Sequence, residues 1–277
     1  MNEYRGKVGG VLALTLLSGT LLAGCQTAMG VVEGVRSGSC AFGVQIEGVA
    51  GDSPMCQAST EEQRLLLTTM TFDRAALSAA KGVDSAQEAL GLKRTMQAQI
   101  VELDRQVSGF GTGGSDLSQT IISQSSAEAE TLKAQIDEMV ENDALSDDAK
   151  LKLAVAKNEY QNSVTYMTTA ALGIKMAYDH YIDNDGGIPL EQRLAPLLAA
   201  GLVDPTFLNN VVVGGSKSAY STARQSSSLI SSMNKATKGV ELPKAGDTDA
   251  KAKTEDDLRR IEAAFGDGTF QLPTTTS

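Results

Sequence analysis

Tryptophan is absent from this 277-residue chain, and aromatic residues of all kinds make up only 4% of it. That scarcity disfavours the stacked aromatic platforms with which sugar binders and single-strand nucleic-acid binders hold their ligands. Histidine occurs once, at His180, so a His-Glu-x-x-His zinc helix cannot be built. Proline is limited to six positions, which removes the commonest interruption of helices. Cations are outnumbered, 24 Lys and Arg against 34 Asp and Glu, and a net charge of −10 repels nucleic acid and anionic headgroups. Cysteine appears three times, at Cys25, Cys40 and Cys56, with no Cys-x-x-Cys pair to suggest redox or zinc chemistry.

The start of the chain is more informative than its composition. Arg5 and Lys7 precede Val8 to Leu22, a stretch that is apolar or small and carries no charge. It is shorter than the ~20 apolar residues that cross a bilayer, and fits the apolar region of a signal peptide. It runs into Leu22-Ala23-Gly24-Cys25, which resembles the lipobox of bacterial lipoproteins at every position.

That resemblance implies thioether attachment of diacylglycerol to Cys25, cleavage after Gly24 and acylation of the new amino group. Residues 1–24 are then a lipoprotein signal peptide, and membrane lipid is the first expected partner. Buried acyl chains contribute ~0.8 kcal/mol per CH₂, so several chains on one residue make a stable anchor. Gln26 follows the acceptor, where an Asp commonly retains such proteins in the inner membrane; the family rule therefore favours the outer membrane, and the anchored chain is expected to face the periplasm. Removal of residues 1–24 takes away Arg5, Lys7 and Glu3 and moves the net charge to −11, so the lipid must supply the attachment.

With Cys25 assigned to lipid, Cys40 and Cys56 are expected to pair, in a compartment where disulfides persist. The chain-entropy description assigns ~3 kcal/mol to a loop of this size. Inside it Phe42, Val44 and Ile46 alternate with Gly43, Gln45 and Glu47, the pattern of one short half-buried strand. Residues 25–58 are read as an N-terminal tether containing this loop.

From Ser59 onward Ala, Leu, Gln, Glu and Lys dominate, and the expected fold class is mainly α: an elongated antiparallel helical bundle over residues 59–238. Ser59-x-x-Glu62 reads as a capping box opening a helix to about Ala80. Ser85-x-x-Glu88 opens a second, with Leu92, Met96, Ile100, Leu103 and Val107 on one face. Gly109-Phe110-Gly111-Thr112-Gly113-Gly114 reverses the chain. A third helical face follows at Leu117, Ile121, Leu132, Ile136, Met139 and Val140, ending near Asn142. A fourth helix starts at Ser146-Asp147-Asp148 and reaches about Ile182, packing back along the hairpin of helices two and three.

Asp204-Pro205 restarts a helix, and Gly214-Gly215 breaks or kinks it before a Ser-rich continuation from Lys217 to Lys238. Residues 239–277 are read as a flexible tail: a linker to Lys253, then a short helix from Asp256 to Phe265.

Candidate chemistry centres on the single histidine. Asp179, Asp183 and Asp185 surround His180, and carboxylates one turn apart before an Asp-Gly loop have the chemistry to hold a hard cation. Against the calcium-loop register, Tyr181 stands where the first Asp belongs and Gln192 replaces the last Glu, so the segment reads as a solvated helix end. No nucleophile accompanies His180 as a general base. Gly214-Gly215-Ser216-Lys217-Ser218 departs from a phosphate loop at Ser216 and at Val211. Phe110 is read as a cap on the hairpin core rather than an inserted tip, and Tyr160, Tyr166, Tyr178 and Tyr181 as bundle packing with wet hydroxyls.

These observations call for no enzyme and no cofactor. They point to a non-enzymatic envelope lipoprotein, an accessory or structural component that presents helical faces to another envelope protein or to copies of itself, without nucleic acid. The competing reading is a ligand-binding module or enzyme with its site at Tyr178 to Asp185. Attachment to peptidoglycan through a terminal lysine is disfavoured by the closing Thr274-Thr275-Thr276-Ser277.

Overall fold

The computed structural model describes residues 54–108, 116–178, 192, 195, 198, 217–240 and 247–265. Seven helices lie among them: α1 (Pro54–Gln57), α2 (Glu61–Ala89), α3 (Gln97–Ser108), α4 (Asp116–Glu141), α5 (Asp147–Tyr178), α6 (Lys217–Ala236) and α7 (Asp247–Phe265). No strand occurs among the described residues, and no helix there is long and apolar enough to cross a membrane. The mainly α expectation holds. The strand at Phe42 to Ile46, the Gly109 to Gly114 reversal and the segment from Asp204 to Gly215 lie outside the described residues.

Helix α2 is the centre of the molecule. Its N-cap is Thr60 rather than Ser59: the Thr60 backbone is extended (φ −127°, ψ 160°), and its hydroxyl accepts the Gln63 amide at 3.2 Å. Gln63 Oε1 in turn accepts from the Ser59 amide at 3.0 Å and from its hydroxyl at 2.6 Å. The expected capping box is therefore displaced by one residue, and Gln63 does the work assigned to Glu62.

The expected break between Ala80 and Ser85 is absent, because α2 runs unbroken through Gly82 to Ala89. Gly91, at φ 67°, ends it: its amide donates to the Glu88 carbonyl at 3.2 Å, and the Leu92 amide to that of Gln87 at 2.8 Å. This is the paired 5→2 and 6→1 closure that a left-handed glycine permits. The second expected helix is consequently divided. Leu92 to Met96 form a non-helical connection, pinned where Gln87 exchanges hydrogen bonds with Thr95, and α3 begins only at Gln97. Leu92, expected on the buried face, is on the surface, while Met96, Leu103 and Val107 are buried.

Helix α4 matches the expected third helix and buries Ile121, Leu132 and Ile136. Helix α5 starts where expected, with Ser146 Oγ accepting the Ala149 amide at 3.1 Å and Asp147 and Asp148 in the first turn. At ~1.5 Å per residue it is ~48 Å long.

The expected packing of this helix along the hairpin is not what forms. Helix α5 makes its most extensive contact with α2, while α6 bridges α5 to α4 and α4 returns to α2, a closed ring of four helices. The α2 and α5 chains run antiparallel, since Thr68 lies by Gly173, Ala75 by Ser163, Gly82 by Tyr160 and Glu88 by Lys152. Small residues explain the preference. Thr68, Ala75, Ala79, Gly82 and Ala86 recur on one buried α2 face at intervals of seven, four, three and four, and Gly173 has no room even for a Cβ, which would lie 2.0 Å from Thr68 Oγ1. Close backbone approach brings many atoms into dispersion contact.

Two additions complete the body. Met55 of α1 is fully buried, with its sulfur beside Thr68 and Gly173, so residues 54–58 pack with the bundle although their sequence grouped them with the tether. Arg64 fastens this segment by donating to the Met55 carbonyl at 3.2 Å and that of Ala58 at 3.3 Å.

Helix α7 is longer than the expected Asp256 to Phe265 and takes up the second half of the expected linker. It packs on α1, α2 and α5 through Ala250, Thr254, Asp257, Leu258 and Ile261, all buried. Small and polar buried side chains escape a reading based on hydrophobicity alone, which is why the linker looked unable to bury anything.

Candidate functional site

Most residues singled out for chemistry lie outside the described residues: Cys25, Cys40, Phe110, Asp179, His180, Tyr181, Asp183, Asp185 and the segment from Gly214 to Ser216. Tyr178 ends α5, but its side chain is outside the described set. Cys56 lies in α1, half-buried, and its sulfur is engaged rather than free.

Tyr160 and Tyr166 are both core residues, not groove residues. Burial pushes both phenols above their ordinary pKa, with Glu128 adding to the effect at Tyr160. The Tyr160 hydroxyl is buried without a hydrogen-bond partner, contrary to the expected wet tip. No group of three metal-ligating side chains occurs among the described residues.

The structure brings together a different polar constellation, where α7 crosses α2 and α5. Asp257, fully buried, takes both of its oxygens to Arg74: the guanidinium donates through Nε to one and through NH2 to the other, the latter at 2.7 Å. Arg260 NH1 adds a third hydrogen bond at 3.2 Å. Burial works against the Arg74 charge, but the hydrogen bond and charge of Asp257 outweigh it and hold the guanidinium above its ordinary pKa.

Nearby, Glu159 of α5 is held above the ordinary carboxylate range. Burial is the main cause; Lys81, Lys253 and a hydrogen bond to Ser78 oppose it, and Asp249 reinforces it. Next to Arg74 on α2, Asp73 is buried and accepts from the Ser118 hydroxyl of α4.

These groups are arranged to join helices. Three arginine hydrogen bonds take most of the roughly four acceptor positions of the fully buried Asp257 carboxylate, which builds it into the joint between helices rather than turning it to a substrate. Bidentate pairing instead fixes the rotation and register of α7 on α2.

One signal was available in the sequence: Asp73 and Arg74 are the only charges between Leu65 and Ala80. Adjacent charges inside an otherwise uncharged helix need partners, because an unpaired buried charge is costly. Their partners, Ser118 and Asp257, lie on other helices and are not readable locally.

A second network closes the opposite end of the α2 and α5 pair. Arg94 donates to Asp84 at 2.9 Å and reaches Glu88 at 3.1 Å; Glu88 also takes Lys152 at 3.1 Å, and Lys152 reaches Asp148 at 3.0 Å. Its exposed pairs contribute little each, but they register the two helices.

No protein-family model, curated protein or solved structure matches this chain.

Proposed function

We propose that the chain is a non-enzymatic lipoprotein, held at the outer membrane on its periplasmic side by acylated Cys25, that serves as an accessory or structural component of an envelope protein complex. The observation that carries this reading is Leu22-Ala23-Gly24-Cys25 standing in register after an uncharged stretch with Arg5 and Lys7 before it. The helical body supports it in a second way: the described polar clusters tie helices together and offer no reacting group. Function then lies in placement and in the helical faces presented to a partner.

A Cys40–Cys56 disulfide belongs to the same proposal. It would close the tether onto α1 at the residue after the buried Met55, so that the lipid and the body are joined by a short, constrained segment.

Growth with a clickable palmitate analogue, followed by intact-mass analysis, tests the anchor. The expected product begins at residue 25 and carries acyl mass, and Cys25→Ser abolishes labelling. An unlabelled mature chain rejects the address and the accessory role together.

A further inference from the structure

Four large apolar side chains are exposed among the described residues: Leu92 at 36%, Val101 at 72%, Leu151 at 47% and Val155 at 42%. Scattered singly, such residues need no explanation. Here they gather toward one end of the molecule. Leu151 and Val155 are one turn apart on α5 and flank Lys152, whose ammonium meets Glu88; Arg94, two residues beyond Leu92, meets the same carboxylate. Val101 stands on α3, the next element after that connection. Met55, where the tether enters, lies at the other end by Thr68 and Gly173, ~30 Å away along α2.

The rim of this end is acidic. Glu138, Glu141 and Asp143 are exposed around the turn leading into α5, and none has a cation partner among the described residues. Of the lysines at this end, Lys150 and Lys152 are already engaged with Asp147, Asp148 and Glu88, and the exposed Lys93 beside Leu92 is outnumbered by the three carboxylates.

We propose that the end of the bundle carrying Leu151, Val155 and Leu92 is a docking surface for another protein, one that presents an apolar centre flanked by lysine or arginine. This deepens the envelope-complex reading and rests on it for the partner's compartment. Charge selects the occupant. A second copy meeting the same surface would set Glu138, Glu141 and Asp143 against their own counterparts, and an anionic lipid headgroup would meet the same repulsion. A cationic rim around an apolar centre satisfies both features at once.

The test places the photo-cross-linking residue p-benzoylphenylalanine at Val155 in the full chain, in envelope-bearing cells, with Lys251 on α7 as control position. The cross-linked segment is sequenced by mass spectrometry. The expected adduct is with a different protein, at a segment of apolar residues bordered by Lys or Arg. Its yield falls at least tenfold in Leu151→Ser and in Glu138→Lys with Glu141→Lys. Circular dichroism should show both variants folded, since these side chains are exposed.

An adduct to this chain itself, to lipid or to an uncharged segment overturns the proposal. So do an unchanged yield in the variants, equal labelling from position 251, or no adduct. Intact mass at Cys25 is read in the same preparation: acyl group without adduct rejects docking alone, and adduct without acyl group rejects the anchor alone.

Discussion

Gly82 on α2 lies against the ring of Tyr160 on α5, so closely that a Cβ at position 82 would stand 2.7 Å from Cδ2 and 2.9 Å from Cε2 of that ring. The glycine is therefore a seat for an aromatic ring rather than a helix stop. Tyr160 fills it completely and is itself among the largest fully buried side chains.

Gly82→Ala is expected to destabilise the protein although alanine is the better helix former. The propensity gain is ~1 kcal/mol, and the overpacking cost ~1–3 kcal/mol, because the obstructing atoms belong to a ring packed on all sides. Urea denaturation of the single variant should show a lower midpoint. Shortening the ring in the double variant Gly82→Ala with Tyr160→Leu should recover part of the loss attributed to position 82. An equal or raised midpoint in Gly82→Ala would mean the ring moves freely.

Asp143 supplies the opposite case. It holds φ 50° at the end of α4, its amide donating to the Val140 carbonyl at 3.2 Å while the Ala144 amide donates to that of Met139 at 2.9 Å. Left-handed backbone costs a non-glycine residue ~1–2 kcal/mol, with Asp at the lower end. Asp143→Gly should therefore raise stability by roughly 1 kcal/mol. A calorimetric melting temperature that falls would show that the aspartate side chain is itself holding the turn.

Comparing these positions shows what a sequence discloses. The start of α5 was legible because Ser146, Asp147 and Asp148 cap it locally, and α4 because its buried residues keep the helical period. The break expected between Ala80 and Ser85 does not occur, because Gly82 within it serves to seat Tyr160, far along the chain. The N-terminal half of α7 was missed because Ala250 and Thr254 bury little apolar area, and the Asp257 carboxylate that fixes this helix looks like surface charge until Arg74 is placed beside it. The proposed address, by contrast, rests on consecutive residues ending at Cys25, as short motifs do. The acidic candidates around His180 lie outside the described residues.

Arg74 and Asp257 provide a direct measure of how α7 is held. Removing one partner leaves a buried charge, and Asp257→Ala is expected to cost ~3–5 kcal/mol. Replacing both with apolar residues, Arg74→Met with Asp257→Leu, should restore much of it, since pairing two buried charges repays little more than their desolvation. Hydrogen exchange locates the effect: amides of residues 247–265 should lose protection in the single variant first. If the single and double variants were equally unstable, the pair would be contributing attraction well beyond its desolvation cost.

Glu159 gives the fold a pH dependence whose sign follows from its environment. Burial raises its pKa in the folded state, so the folded protein binds this proton more tightly than the unfolded chain does. The associated stability is complete below the unfolded carboxylate value and is lost as pH rises through the raised folded value. Asp137 acts in the opposite sense: a hydrogen bond from Lys133 holds it below its ordinary range despite partial burial, so its contribution appears above the unfolded value and is lost on acidification. Glu159→Gln keeps the shape and the hydrogen bonding but removes the titration. The difference in melting temperature between this variant and the parent should therefore move in the variant's favour as pH climbs from the acidic to the neutral range. A difference that stays flat across that interval would show that Lys81 and Lys253 already compensate the buried charge in full.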